Sequence, residues 1–336
     1  MPTNDLPVIL DSDVRVESAT VLDKDFAEID WQSPWMCHLN QLSSISETIQ
    51  NLSTIAAPKN EIAGAVIEEP LIDVIADILN TAINRQRKET QGFLPTTKPT
   101  EDNQVQALKF VSQDALPEGE AYESFIATTG NIPTRDNLHD LFNGSIWLTF
   151  PKTKALLNYY HMLEIAAQGV SERRGRVRDT ITVFDENGAV LVTVDPNIGE
   201  ALIDFNWQAS LVVPRAQWDN PKQPSSSAQA AVYIFGHALL EQLIHPRKPL
   251  CAHSIVIHVS QAFFALSLAE RMSRLDNKVA EYMNTLLSND DVKPQQLAPL
   301  PILGVPHFWS DNIDPRFYDD NYVFRSGRRK KIMNAK

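Results

Sequence analysis

The sequence predicts a mixed α+β protein, mainly helical, with a small antiparallel sheet. Three observations carry this reading. Apolar residues recur at three-and-four spacing in long stretches, the mark of a helix with one buried face. β-Branched residues flank the pair Asn187-Gly188, a strong hairpin signal because both residues tolerate positive φ. The 43% hydrophobic content is enough for a real core.

Taken in order, residues 1–30 hold eight acids against Arg15 and Lys24, so a poorly ordered acidic arm is expected there. That charge is the wrong sign for a secretory signal or a transit peptide. A first helical region fits 35–55. A stronger one starts at Pro70, with Leu71, Val74, Ile75, Ile78, Leu79, Ala82 and Ile83 on one stripe. A Pro-containing loop covers 95–104 and a short strand fits 107–112. Helices fit 119–129, 136–149 and 151–168. The hairpin spans 180–194, with Asp185 and Glu186 near its turn, where acids are ordinary. A helix is expected over 231–245, a strand over 254–259 and a long amphipathic helix over 261–288. That last stripe suits packing on its own domain or the seam of a homodimer. From Leu297 the chain reads as an extended arm pinned by Phe308, Trp309, Phe317 and Tyr318. Residues 327–336 form a basic tail, either solvated or in contact with an anionic surface.

Composition excludes several classes. The chain has 336 residues, with 30 basic and 42 acidic side chains and a net charge of −12, which argues against a surface devoted to nucleic acid. No apolar run reaches the ~20 residues of a membrane helix. Two cysteines cannot build a disulfide framework, and a cytoplasmic location is expected. The phosphate-loop, dinucleotide-binding, nucleophile-elbow, H-E-x-x-H and C-x-x-C patterns are all missing from the sequence.

Four constellations bear on chemistry. On a helix from Leu138, the residues Leu138, Leu141, Phe142 and Ile146 make one face, while His139, Asp140, Asn143 and Trp147 gather on the other. Such a cluster is either a structural hydrogen-bond knot or a polar site under partial cover. His237, Glu241 and His245 are spaced at four, which suits a chelated divalent metal or a base and its orienting partner, and also arises by chance. Arg173, Arg174, Arg176 and Arg178 form a run that is either a solvated loop or an anion attractor, and Arg178-Asp179 leads into the expected strand. Cys251 and His253 stand two apart, as a Cys-His nucleophile or a buried thiol beside a strand. Cys37 and His38, after Trp31 and Trp35, read as packing.

Several strings resemble one family. They are P-T-R-D-N-L-H-D-L-F-N from Pro133, W-L-T-F-P-K-T-K-A-L-L-N from Trp147, R-D-T-I-T-V-F-D-E-N-G from Arg178, F-G-H-A-L-L-E from Phe235, L-P-I-L-G-V-P-H-F-W from Leu300 and D-P-R-F-Y-D-D from Asp314. In this order they resemble the bacterial domain of unknown function 3025 family over residues 30–326. The resemblance implies a bacterial, cytoplasmic protein with one family-wide unit over 31–326, and it brings no activity with it. It directs attention to Arg135, Asn137, His139, Asp140, Asn143, Trp147, Arg178, Asp179, Asp185, Glu186 and His237, with Glu241 ending its own motif.

Two functions stay open. One is a hydrolase or phosphoesterase-like enzyme. Its catalytic groups would be His139, Asp140 and His237, and a divalent metal would be held by His139, Asp140, His237 and Glu241. Arg135, Asn143, Trp147, Arg178 and Asp179 would bind a small anionic ligand. The other is a non-catalytic binding or adaptor protein in which the same residues are a structural network. Convergence of His139 and His237 in a cleft discriminates between them.

Overall fold

The apolar stripes find one another first. In a computed structural model that describes residues 24–55, 73–89, 108–168, 175–289 and 291–327, Ser43–Ile55 (α1) packs on Val74–Glu89 (α2). Ile45, Ile49, Ile75, Leu79 and Ala82 are buried along their stripes. The helix start expected at Pro70 and the 95–104 loop lie outside the described residues. Lys109–Ser112 (β1) pairs in parallel with Asn131–Thr134 (β2). Between them runs Tyr122–Thr129 (α3), which ends on Gly130 at φ 70, a left-handed cap that favours glycine.

Leu138–Thr149 (α4) starts where the Asn137 side chain accepts from the Asp140 N–H at 2.8 Å. Pro151–Gln168 (α5) follows, and its entry is capped from far along the chain by Asp276. Then come Arg176–Asn187 (α6), Gly188–Thr193 (β3), Pro196–Ile203 (α7), Ala230–Ile234 (β4), His237–Gln242 (α8), Cys251–His258 (β5), Leu268–Leu287 (α9) and Ala298–Pro301 (β6). The four later strands make one sheet in the order β4-β3-β5-β6. Every residue of β3 and β4 is buried. A connected core of buried apolar side chains runs from Phe26 to Phe324. No helix among the described residues is long and apolar enough to cross a membrane.

The mainly helical α+β class is therefore observed, with differences inside it. The 180–194 hairpin does not form. Its first half belongs to α6, which buries Val177, Thr180, Ile181 and Phe184 at helical spacing. β-Branched composition misled because burial of a 3.6-period face outweighs a weak strand preference. Gly188 has φ −76, so Asn187-Gly188 is a helix-to-strand junction and not a turn. The sheet is mixed: β3 pairs antiparallel with β4 but parallel with β5, and β5 antiparallel with β6. The expected 231–245 helix splits at Gly236 into β4 and the short α8, because a short all-apolar run carries no period to separate strand from helix. The 261–288 helix starts later, at α9, where Ser267 and Glu270 form a capping box. Part of the expected acidic arm is packed: residues 24–28 make a 3-10 turn, and Phe26 and Ile29 are buried. Residues 1–23 and 328–336 lie outside the described residues.

Candidate metal centre

Three helix ends converge. The first turn of α4 carries His139, the first residue of α8 is His237, and the last turn of α6 carries Asp185 and Glu186. Local sequence sets each position. Asn137 fixes where α4 begins, so His139 falls in its first turn. Gly236 fixes the approach of α8 to α6: a Cβ there would lie 2.5 Å from both the Glu186 carbonyl oxygen and the Gly188 nitrogen. The Phe235 and Gly236 N–H groups both donate to the Gly188 carbonyl, at 3.0 and 2.8 Å. Only glycine lets the β4–α8 link pass this close, and the passage carries Glu186 to His237.

His237 Nε2 lies 3.0 Å from His139 Nε2 and 3.4 Å from Glu186 Oε2. His139 Nδ1 faces Glu241 Oε2 at 3.1 Å, and His237 Nδ1 faces Asp185 Oδ2 at 3.9 Å. The ring planes are 80° apart with centroids at 4.5 Å. His237 has a side-chain exposure of 4%, whereas His139, Glu186 and Glu241 are part-exposed at 35%, 35% and 40%, so the cluster opens to solvent on one side. Burial holds His237 neutral, lowering it to about 4 against the opposing pull of Asp185. Burial, with Asp185 beside it, raises the Glu186 carboxyl. The same burial acts upward on Asp185, but Lys154 and His237 bring it below the ordinary carboxylate range.

These distances leave a proton-counting problem. If His139 donates from Nδ1 to Glu241, its Nε2 presents a lone pair toward His237. A neutral His237 then has two choices. Protonated on Nε2, it donates to His139 and leaves Nδ1, which is buried and has no hydrogen-bond partner, as a bare acceptor facing Asp185. Protonated on Nδ1, it sets two lone pairs 3.0 Å apart. A positive charge between the Nε2 atoms removes the conflict. A proton would serve the two nitrogens alone. A metal ion would also engage Glu186, and among the described residues His139, Glu186 and His237 offer ligand atoms that all lie within 4.8 Å of one another. A tetrahedral zinc ion with bonds of ~2.0–2.1 Å holds its ligand atoms about 3.3 Å apart, close to the spacing around His237 Nε2. Each histidine would then turn its other nitrogen toward a carboxylate, as ligating histidines usually do.

Beneath the histidines, Lys154 is nearly buried and gives its protons to Asp185 Oδ1 and Oδ2 at 2.6 and 2.9 Å and to Asn143 Oδ1 at 2.9 Å. Asn143 donates onward to the Tyr122 hydroxyl at 3.1 Å, and the ammonium sits 5.4 Å from the centroid of the Trp147 ring. Asn143 and Trp147, expected as binding residues, thus surround a buried lysine.

Other candidates stand apart from the histidines. Asp140 is held by Arg135, whose N–H, Nε and one terminal nitrogen donate to its two oxygens at 2.7, 3.0 and 3.0 Å. Both oxygens of this expected ligand are spent on tying the chain into α4. Asp179 is exposed on the first turn of α6. Arg178 is half-buried there, and its Nε has no hydrogen-bond partner. Arg173 and Arg174 lie outside the described residues. His245 falls beyond the end of α8 and meets Glu28 at 3.3 Å on the surface. Cys251 is exposed at the start of β5, and desolvation raises its thiol to about 11, away from the thiolate form a nucleophile needs. The sequence marks Glu186 only as a turn acid within a family motif and not as a ligand, and it does not single out Lys154. Glu186 falls in the turn expected for the 180–194 hairpin. The helical spacing of Val177, Thr180, Ile181 and Phe184 was the available signal, since it puts Glu186 at a helix end. Nothing local marks Lys154.

The fold and cluster define a mainly helical α+β protein with a two-histidine, one-carboxylate cluster at the meeting of three helix ends. The chain belongs to the family described as "Protein of unknown function (DUF3025)", which matches residues 108–328 and so contains His139, Lys154, Asp185, Glu186, His237 and Glu241. No curated protein and no solved structure matches the chain.

Proposed function

We propose that this protein is a metal-dependent hydrolase in which His139, His237 and Glu186 hold one divalent ion with an open coordination position. The observation that carries the reading is the convergence of the two Nε2 atoms with the Glu186 oxygen beside them, three ligand atoms from three helix ends that all lie within 4.8 Å of one another. Two histidines and a carboxylate are a ligand set that leaves room for water, and a bound ion makes that water a nucleophile near neutral pH. Glu241 orients His139 through Nδ1, and Asp185, anchored by Lys154, faces the far nitrogen of His237. The part-exposed side of the cluster is where substrate would enter. Arg178 lies seven residues before Asp185, on the same face of α6 and about 10 Å along the axis. In this reading it is the cation assigned to an anionic group of the substrate, which favours phosphoesters over neutral esters. In this reading Asp140 serves the fold and not the chemistry.

Metal analysis of purified protein, followed by turnover assays on p-nitrophenyl phosphate, bis-p-nitrophenyl phosphate and p-nitrophenyl acetate with zinc, manganese or iron(II), tests the proposal. One ion per chain and turnover that disappear together in His139→Ala and His237→Ala are expected. Absence of bound metal at micromolar ion concentration in a folded protein defeats it and leaves the histidine pair a proton-sharing structural contact. A bound ion without turnover on any ester favours the binding-protein alternative.

A further inference from the structure

A cavity of about 330 Å³ lies where β5 begins, between the link that follows α7, β6 and the 322–325 segment. It shares no residue with the histidine cluster. Three aromatic residues, Phe205, Trp207 and Tyr322, and two prolines of β6, Pro299 and Pro301, make most of its wall. Among the described residues no acid lines it, and Arg325 brings its one formal charge.

Contacts between distant parts of the chain build this wall. Trp207 Nε1 donates to the Arg325 carbonyl at 2.8 Å, which ties the closing segment to the link after α7. The Trp207 ring meets Phe205 and Phe324 edge-on, with centroids at 5.7 and 6.0 Å. Phe205 stands at φ 60, a left-handed conformation that costs a bulky residue on the order of 1–3 kcal/mol and persists only where the surroundings hold it. Gly327 lies against that ring, and a Cβ there would be 2.7 Å from Phe205 Cδ2.

Arg325 is exposed, and its own segment holds the side chain at the cavity. Its Nε donates to the Tyr322 carbonyl at 2.9 Å, and the guanidinium carbon lies 5.2 Å from the centroid of the Tyr322 ring. Burial raises the Cys251 thiol, and the Arg325 charge opposes that rise, so the guanidinium stands within electrostatic reach of a second residue of the wall. With Nε spent, the two terminal nitrogens make no hydrogen bond or ion pair among the described residues. They are the end of a planar fork, which matches the two oxygens of one carboxylate.

We propose that this cavity binds a small aromatic carboxylate, with its ring against Trp207 and Tyr322 and its two oxygens on the terminal nitrogens of Arg325. The volume lies at the lower end of small-molecule sites, which suits one ring on a short arm. Aromatic walls favour an aromatic body. One unpaired cation and no acid favour a single negative charge, since a second would lose hydration and meet no partner. The cation is exposed, so the pair escapes the full desolvation cost of a buried one. The site is independent of the proposed hydrolase centre, and its test does not involve metal.

Three probes share a body and differ in charge: 3-phenylpropionate, 3-phenylpropanamide and 3-phenylpropylamine. Binding to the full chain is followed by calorimetric titration and saturation-transfer NMR at neutral pH. We expect the carboxylate to bind, the amide to bind about tenfold more weakly for want of a charge-assisted pair, and the amine to show no binding. Arg325→Gln, at an exposed position, should bring the carboxylate down to the level of the amide while leaving the urea midpoint in place. Cys251 locates the occupant in the parent protein: saturating 3-phenylpropionate should slow its modification by methyl methanethiosulfonate, read by peptide mass spectrometry, and leave the rate at Cys37 unchanged. The proposal is overturned if the carboxylate fails to bind or binds no more tightly than the amide, if Arg325→Gln keeps the preference for the carboxylate, or if occupancy leaves the reactivity of Cys251 unchanged.

Discussion

Asp276 and the His139–His237 pair are both buried polar arrangements at helix starts, and they are finished differently. Asp276 is 3% exposed on α9 and receives the Lys152 N–H at 2.9 Å, the Thr153 N–H at 2.9 Å and the Thr153 hydroxyl at 2.8 Å. Acceptor meets donor throughout, and the start of α5 is tied to α9. At the histidines, by contrast, with His237 Nε2 donating to His139, His237 Nδ1 faces Asp185 at 3.9 Å without a side-chain hydrogen bond. Burial makes unpaired polar atoms expensive, so a folded chain completes its structural networks with its own groups. A network that lacks one positive charge, opens to solvent and has a carboxylate alongside is suited to receive that charge from outside.

The comparison can be broken most directly at His237. His237→Ala should remove divalent-ion binding outright, read as loss of the bound ion after dialysis, while Asp276→Ala leaves ion content unchanged. If the two variants behave alike toward metal, the distinction between a finished and an unfinished network fails. Asp276→Ala should instead lower the free energy of unfolding by about 2–4 kcal/mol, since it strands the buried N–H groups at the start of α5. A urea midpoint equal to that of the parent would show that the cap is replaceable.

His38 sharpens the contrast through pH. Its pKa in the fold is about 4, below the ordinary histidine value, so unfolding takes up a proton in the interval between. The stability this contributes is present above pH ~6.5 and is lost as pH falls toward 4, up to about 3 kcal/mol. His38→Phe should therefore lose stability less steeply than the parent over that interval, as measured by urea unfolding at stepped pH. Parallel curves would mean that the ring is not held neutral. The smallest effect is expected at Glu241. Glu241→Gln keeps an acceptor for His139 Nδ1 but loses the charge, and should weaken ion binding roughly 10-fold, at the mild end of such changes. No change in affinity would detach Glu241 from the centre.

How much of this was legible beforehand differs by element. The stripes of α2 and α9 follow from spacing, because each buries one face and leaves the other in solvent, and the bounds of α4 and α5 and the strand β5 follow from punctuation and composition. Spacing also brought His139 and His237 forward, each beside its helix's aliphatic stripe. Asp140 was expected as a ligand, whereas in the structure Arg135, five residues earlier, donates to both its oxygens, and a sequence does not say which neighbour closes on which.

What the sequence alone determined is the inventory and its local placement: a mainly helical α+β chain, an acidic surface, and two histidines on polar flanks of apolar helices. Tertiary structure alone decided the pairing. Glu186 reaches His237 only because Gly236 lets the β4–α8 link cross the end of α6, with a Cβ position 2.5 Å from the Glu186 carbonyl oxygen. Lys154 meets Asp185 from 31 residues away, and His139 meets His237 from 98. Local preference acts over a turn or a hairpin, whereas these contacts depend on how whole helices pack, which is settled by the burial of side chains far from the site.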